Sequence, residues 1–126
     1  MRGEGAGAAP GSRGDGAVGH HGCVIVRMWE CEVRPGRAEE LVEHVLTSVL
    51  PSVRLAEGFL GGEVLRSVAR ESERLLLVTR WESEASLESY LGPRWTAHEL
   101  TPVPDEAVFI AGVPFVDNWS PVAEIG

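Results

Sequence analysis

The stretch LLLVTRWESEASLESYL, residues 75–91, contains the change of period that decides the fold. Its first four residues, Leu75 to Val78, are apolar without alternation, which is typical of a strand covered on both faces. Ser83 then fits the N-cap of a helix that runs to about Leu91, with Glu84 near the positive end of the helix dipole. The stretch therefore predicts a buried strand followed directly by a helix.

An earlier part of the chain has the same order of strand and helix. Residues 23–33, CVIVRMWECEV, alternate so that one face of the predicted strand carries Ile25, Arg27, Trp29, Cys31 and Val33. Pro35-Gly36 breaks this strand. From Arg37 the apolar residues recur at helical spacing, with His44 on the outer side, and Pro51 is expected to kink or end the helix.

Three further segments complete the pattern of elements. Residues 57–68 and 73–82 predict two strands joined by the polar link 69–72, and residues 106–116 predict a last strand. The order β-α-β-β-α-β is that of an α+β, ferredoxin-like split βαβ protomer, an antiparallel sheet with two helices on one face. The other sheet face would be bare in a monomer, so we expect a homodimer that covers it.

The composition indicates one folded domain with tails. The Gly-rich residues 1–22 predict a disordered tail, residues 23–118 the folded domain, and residues 119–126 a C-terminal tail. A net charge of −8 argues against nucleic acid and anionic membranes as partners. The absence of an apolar run of about 20 residues and of a secretory signal predicts a cytoplasmic protein.

Metal and covalent-lysine chemistry have no support in the sequence. All eleven basic side chains are Arg, so no lysine can form a Schiff base. The two cysteines, Cys23 and Cys31, would lie roughly 26 Å apart along one strand, too far for a disulfide. With no CxxC, no HExxH and no carboxylate set at ligand spacing, we expect no metal site.

Three segments together resemble a known family. VRPGRAEELVEHV (33–45), EGFLGGEVLR (57–66) and the stretch 75–91 resemble the antibiotic biosynthesis monooxygenase family of dimeric α+β barrels. The resemblance extends from Val24 to Val116. It implies a monooxygenase that needs no cofactor and oxidises a phenolic or hydroquinone small molecule with O₂. The family also includes heme-degrading members and members without demonstrated chemistry.

This chemistry needs an aromatic pocket and groups that deprotonate and hold the phenol. The predicted catalytic residues are His98 as base, Tyr90, and Arg27 or Arg80 for the phenolate. The predicted substrate-binding residues are Trp29, Trp81, Trp95 and Leu87. Each of these also has a packing interpretation, because large aromatic side chains dominate small cores and a histidine at a helix end interacts with the dipole.

Two alternatives to this function remain open at this stage. In the heme-degrading branch the family pattern has an Asn on the first strand, an aromatic residue on the second helix and a His soon after. Here Trp29 stands at the Asn position, Tyr90 at the aromatic position and His98 near the ligand position, so heme as substrate is the second hypothesis. The third is a dimeric module that binds a small ligand without catalysis. A cavity between helices and sheet would favour catalysis over a closed core.

Overall fold

The computed structural model describes residues 23–68 and 71–126, and within these ranges four strands pair into one antiparallel sheet. The strands are β1 (Ile25–Val33), β2 (Phe59–Arg66), β3 (Arg74–Trp81) and β4 (Ile110–Trp119). Their order across the sheet is β2-β3-β1-β4, which confirms the predicted ferredoxin-like α+β class. The predicted tail at residues 1–22 and part of the link at residues 69–72 lie outside the described residues.

The helical segments lie in the two long connections of the sheet and pack on one of its faces. Between β1 and β2 they are α1 (Ala38–His44), a π-helical turn (Val45–Val49) and α2 (Leu50–Arg54). Between β3 and β4 they are α3 (Glu84–Leu91), a 3₁₀ turn (Gly92–Thr96) and α4 (Pro104–Ala107). Within the described ranges, no helix is long and apolar enough to cross a membrane.

Pro51 distorts the first helical run but does not end it, since the run continues to Arg54. Proline lacks an N–H, and its ring crowds the carbonyl four residues earlier. Ahead of Pro51 the backbone widens into the π-helical turn, in which the Leu50 N–H donates to the Val45 carbonyl. The wider turn relieves the crowding, and Pro51 lies in the first turn of α2, where a missing N–H is harmless.

The predicted cap of α3 is confirmed. The Ser83 side chain accepts a hydrogen bond from the Ser86 N–H at 3.1 Å, and the Ser83 N–H donates to the Ser86 hydroxyl at 3.1 Å. Gly58 packs against this cap with φ of +91°, and a Cβ there would lie 2.3 Å from the Ser86 Cβ. The start of β2 is therefore held against the start of α3 by a contact that only glycine allows.

The segment before the last strand differs from the prediction. Residues 106–116 were expected to be extended, but α4 precedes β4, which begins at Ile110 and continues to Trp119. Pro104 at the start of α4 and two acidic residues in its first turn favour a short helix there. Trp119 pairs with Val26 of β1, so the first residue of the predicted C-terminal tail belongs to the sheet.

Buried apolar residues of the described chain form two clusters under the helices. One cluster is built around Leu41, Leu75 and Ile110, and the other consists of Ile25, Val53, Trp81 and Leu87. Along β1 the two clusters are separated by Arg27 and Trp29. The interior is therefore interrupted at the middle of the sheet, which is where the candidate site lies.

Candidate functional site

A cavity lies between the sheet and the helices, at the gap between the two core clusters. Its inner lobe has a volume of about 180 Å³ and adjoins an outer lobe of about 270 Å³. The two lobes share Arg27, Trp29, Leu91, Leu100 and Glu106. The inner lobe is also lined by Val45, Val49, Val53, Leu77, Thr79, Trp81 and Tyr90. The outer lobe ends at Val103, which is 54% exposed, so the cavity opens to solvent beside α4.

The sheet brings three polar side chains together beneath this cavity, and two of them, Arg27 and Thr79, line it. Arg27 of β1 pairs with Thr79 of β3 on one side and with Asn118 of β4 on the other. Directly paired residues on antiparallel strands point to the same face. All three therefore point toward the helices rather than toward the outer sheet surface.

Arg27 is a buried cation with unused donors. Its Nη1 donates to the Trp95 carbonyl and to the Asn118 Oδ1, each at 3.0 Å, and Asn118 Nδ2 also donates to the Trp95 carbonyl at 2.9 Å. Among the described residues, no group accepts from Nε or Nη2, and no carboxylate lies within ion-pair distance. Burial lowers the pKa of Arg27 to about 10, so the guanidinium is still charged at neutral pH. A buried charge of this kind attracts an anionic ligand group.

Aromatic side chains form the wall of the inner lobe next to Arg27. Trp81 is 1% exposed, donates its indole N–H to Thr79 Oγ1 at 2.9 Å, and has its ring centroid 5.3 Å from that of Tyr90. The Tyr90 hydroxyl shares a hydrogen bond of 2.9 Å with Ser52 Oγ. Trp29 lines both lobes. Trp81 thus belongs to the core and to the cavity at once, and the predicted pocket role of Trp29 and Tyr90 agrees with their position.

Glu106 is a polar lining residue that the sequence did not indicate. It was assigned to a strand, but it lies on α4 and lines both lobes of the cavity. His44 was expected on the exposed side of its helix. Its side chain is instead only 18% exposed, with Nε2 3.8 Å from Glu106 Oε2. The sequence did contain one signal for this position. Pro104 followed by acidic residues is typical of a helix start, and it indicates that Glu106 lies on a helix rather than on a strand.

His98 does not face the cavity, contrary to the expected inward aspect. Its side chain is 67% exposed, and its ring stacks on Phe115 at a centroid distance of 6.0 Å. Nδ1 lies 3.2 Å from the Val116 carbonyl and 3.9 Å from Asp117 Oδ1. The cause is an antiparallel bridge between Glu99 and Phe115, which carries this segment along the edge of β4. A role for His98 as base stays a prediction without support from this geometry.

Trp95 and Leu87 also lie outside the lining of the cavity. Leu87 is fully buried in the second core cluster, and Trp95 packs at the edge of that cluster. Trp95 contributes its backbone carbonyl, which orients Arg27. Arg80 is exposed, because it occupies the alternate face of β3.

Among the described residues, no histidine lines this cavity that could serve as a ligand for a heme iron. His98 points away from it, and Trp29 fills the place of the expected Asn. No group of three or more His, Cys, Asp and Glu side chains in the described ranges could hold a metal ion. What the cavity does offer is a cation with free donors, a carboxylate and aromatic walls. These groups suit a small planar ligand with an ionisable oxygen.

The comparisons with known proteins agree with this architecture. Residues 24–93 match the family model described as antibiotic biosynthesis monooxygenase, and no curated protein matches the chain. A solved structure of the heme-degrader MhuD from Mycobacterium tuberculosis, with two hemes in its active site, is 27% identical with a TM-score of 0.60. The match covers 81% of this chain and 99% of that one.

Two further solved structures share the fold at lower identity. A monooxygenase from the ActVA-Orf6 gene of Streptomyces coelicolor, in complex with nanaomycin D, is 23% identical with a TM-score of 0.62, covering 82% of this chain and 91% of that one. A conserved protein from Methanosarcina mazei Go1 is 14% identical with a TM-score of 0.59, covering 78% and 92%. Since the family model spans more than half of the chain, the protein belongs to the antibiotic biosynthesis monooxygenase family.

Proposed function

We propose that the protein is a cofactor-independent monooxygenase that oxidises a small phenolic or hydroquinone substrate with O₂. The observation that carries this proposal is the buried guanidinium of Arg27, which faces an aromatic-walled cavity and has unused donors. A phenolate oxygen is the kind of ligand atom that such donors stabilise. The rings of Trp29, Trp81 and Tyr90 would pack against the substrate ring and exclude water.

The reaction balances without any added cofactor. The phenolate gives one electron to O₂, which leaves a phenoxyl radical next to superoxide. Their recombination forms a C–O bond on the ring. Loss of the ring proton and cleavage of the O–O bond then yield a quinone and water, so that phenol and O₂ become quinone and water. Arg27 contributes by stabilising the phenolate, which is the electron donor, and by holding it beside the site where O₂ is reduced.

Oxygen uptake with a panel of anthrones and hydroquinones, measured without flavin or metal, tests this function. We expect uptake with at least one ring system small enough for the inner lobe, and a quinone product. Tight binding of these compounds without uptake would favour the ligand-binding module. If the protein shows no binding and no O₂ uptake with any compound, the monooxygenase and the ligand-binding module are both contradicted.

The heme-degrading alternative is favoured by the 27% identity to MhuD. The orientation of His98 and the presence of Trp29 in the cavity argue against it. A heme titration separates the two functions. We expect no shift of the Soret band. A shift in the wild-type protein that disappears in His98→Ala would support heme as the substrate.

We also propose that the chain forms a homodimer through the outer face of the sheet. Large apolar side chains on or beside this face are 42% to 56% exposed in the single chain: Leu60, Leu65, Val113, Phe115 and Trp119. They lie on the two edge strands, β2 and β4, and so many exposed apolar side chains on one sheet are typical of an interface. The dimeric assembly implied by the family resemblance would cover it with a second copy.

A further inference from the structure

We propose that Glu106 is the general base that takes the proton of the phenol, and that His44 is a positioning residue that holds the Glu106 carboxylate toward the cavity. This inference rests on the proposed function and names the missing proton acceptor of the same site. It also replaces His98, which faces away from the cavity, in the role of base.

The position of Glu106 meets the geometric requirement for a base. Glu106 and Arg27 line both lobes of the cavity, yet they form no ion pair with each other within the described chain. A ligand oxygen between them would have a proton acceptor on one side and a cation on the other. No described residue donates a hydrogen bond to the Glu106 carboxylate, so both of its oxygens can accept a proton from the ligand.

His44 is the cationic partner available to Glu106. Its Nε2 lies 3.8 Å from Glu106 Oε2, and the two side chains are 18% and 21% exposed. The His44 ring lies 6.0 Å from that of Phe109, and the guanidinium of Arg37 lies over the same Phe109 ring at 5.0 Å. The packed imidazole therefore limits where the Glu106 carboxylate can lie, which keeps it beside the cavity.

Other charged and titratable groups lie near Glu106 on the neighbouring elements. Arg27 of β1 and Arg94 of the 3₁₀ turn line the outer lobe together with Glu106, and Cys31 of β1 interacts with it electrostatically. Arg34 donates its Nε–H to the Ala107 carbonyl at 3.3 Å, next to Glu106 in the chain. The thiol of Cys31 stays neutral, because burial raises its pKa to about 11. Of the side chains near Glu106, only His44 lies within 4 Å of its carboxylate among the described residues.

The proton transfer balances within the catalytic cycle. The phenol O–H bond breaks, its proton binds a Glu106 carboxylate oxygen, and the electron pair stays on the phenolate oxygen held by Arg27. After recombination with superoxide, the peroxide oxygen on the ring accepts that proton from Glu106. The carboxylate is then regenerated before the O–O bond breaks.

The variant Glu106→Gln keeps the size of the side chain and removes the base. We expect kcat for O₂ uptake to fall about 10²-fold at neutral pH. The deficit should narrow above the pKa of the substrate, because ionised phenol needs no base. Asp105→Asn, which removes a neighbouring exposed charge on the same helix, should leave kcat unchanged. A deficit in Glu106→Gln that is equal at every pH, or no deficit, would overturn the role of Glu106.

The variant His44→Gln tests the positioning role. We expect kcat for O₂ uptake to fall with KM unchanged, since the carboxylate loses the side chain that holds it toward the cavity. In the Glu106→Gln background the same substitution should have no further effect, because His44 acts through Glu106. Glu43→Gln, on the exposed neighbour in α1, is the matched control. An equal loss of rate in both backgrounds would show a merely structural role.

Binding of 4-nitrophenol, which is too electron-poor to be oxidised, separates this inference from the proposed function. Arg27 stabilises the bound phenolate in the wild-type protein and in Glu106→Gln alike, so the two proteins are compared by where the proton goes. Below the pKa of the free ligand, we expect the wild-type protein to keep the proton on Glu106, whereas Glu106→Gln releases one proton to the solvent for each phenolate formed. With that result but no O₂ uptake for any substrate, the proposed oxygenation is wrong and the role of Glu106 as base is supported. Equal proton release by the two folded proteins would overturn that role whatever the oxygen assay shows.

Discussion

Arg27 of β1 pairs with Thr79 of β3, so Arg80 is the next residue along β3. Either arginine was expected to be able to stabilise a phenolate. Arg27 faces the cavity, whereas Arg80 faces outward and is exposed. We therefore expect Arg27→Met to lower kcat/KM for O₂ uptake about 10²-fold, because the phenolate loses its charged donors. Arg80→Met is the matched control and should retain activity. Equal losses of kcat/KM in both variants would mean that the loss comes from the change in net charge and not from the cavity.

The titration of Cys31 links its burial to stability at alkaline pH. Burial, opposed in part by a hydrogen bond from the Leu75 backbone and reinforced by Glu106 and Glu30, raises the thiol pKa from 9.0 to about 11. The folded state therefore holds this proton more tightly than the unfolded state. The resulting stabilisation is complete below pH 9 and is lost as the pH rises to 11.

We accordingly expect the free energy of unfolding to fall between these pH values in the wild-type protein more than in Cys31→Ala, by on the order of 1 kcal/mol. Urea denaturation across this range measures the difference. The lowered pKa of Arg27 acts in the opposite direction but is present in both proteins, so it cancels. Parallel pH curves for the two proteins would contradict the expectation.

At the scale of the elements, the junction between β2 and α3 depends on Gly58. Its φ of +91° and its contact with Ser86 both exclude a Cβ. We expect Gly58→Ala to lower the free energy of unfolding by about 2 kcal/mol or more, as measured by urea denaturation. Gly36 also has a positive φ, of +77°, but has open space around it, so Gly36→Ala should cost only about 1 kcal/mol. Similar losses in the two variants would mean that the Ser86 contact contributes nothing.

At the scale of the whole molecule, the outer face of the sheet should determine the oligomeric state. Leu65 lies on this face opposite Leu76, and its side chain is 42% exposed in the single chain. We expect Leu65→Glu to convert a dimer to a monomer, because a carboxylate would be buried without a partner at the interface. Leu55→Glu changes a residue that is 88% exposed after α2 and should stay dimeric. Light scattering after size exclusion gives the masses, and a dimer in both variants would place the interface elsewhere.

The sequence by itself determined the order of the elements and the class of the fold. The change from a period of two to a helical period is local, and so are the Ser83 cap and the breaks at Pro35-Gly36. The alternation along β1 also fixed that Arg27 and Trp29 share one face, which is why their place in the cavity could be predicted. These features depend on neighbours within a few residues, which the linear sequence displays.

Only the tertiary structure decided which polar groups meet. His98 and Glu106 both lie in the connection from α3 to β4, which is irregular apart from two short helical turns, and no periodicity indicates which way such a segment runs. A backbone bridge to Phe115 carries His98 outward, whereas α4 folds Glu106 back to within 3.8 Å of His44, a residue 62 positions earlier in the chain. Contacts over such separations arise from the closure of the whole sheet. The alternation within single strands therefore predicted that Arg27 and Trp29 share a face, whereas the positions of His98, Trp95 and Glu106 depend on contacts that only the folded chain makes.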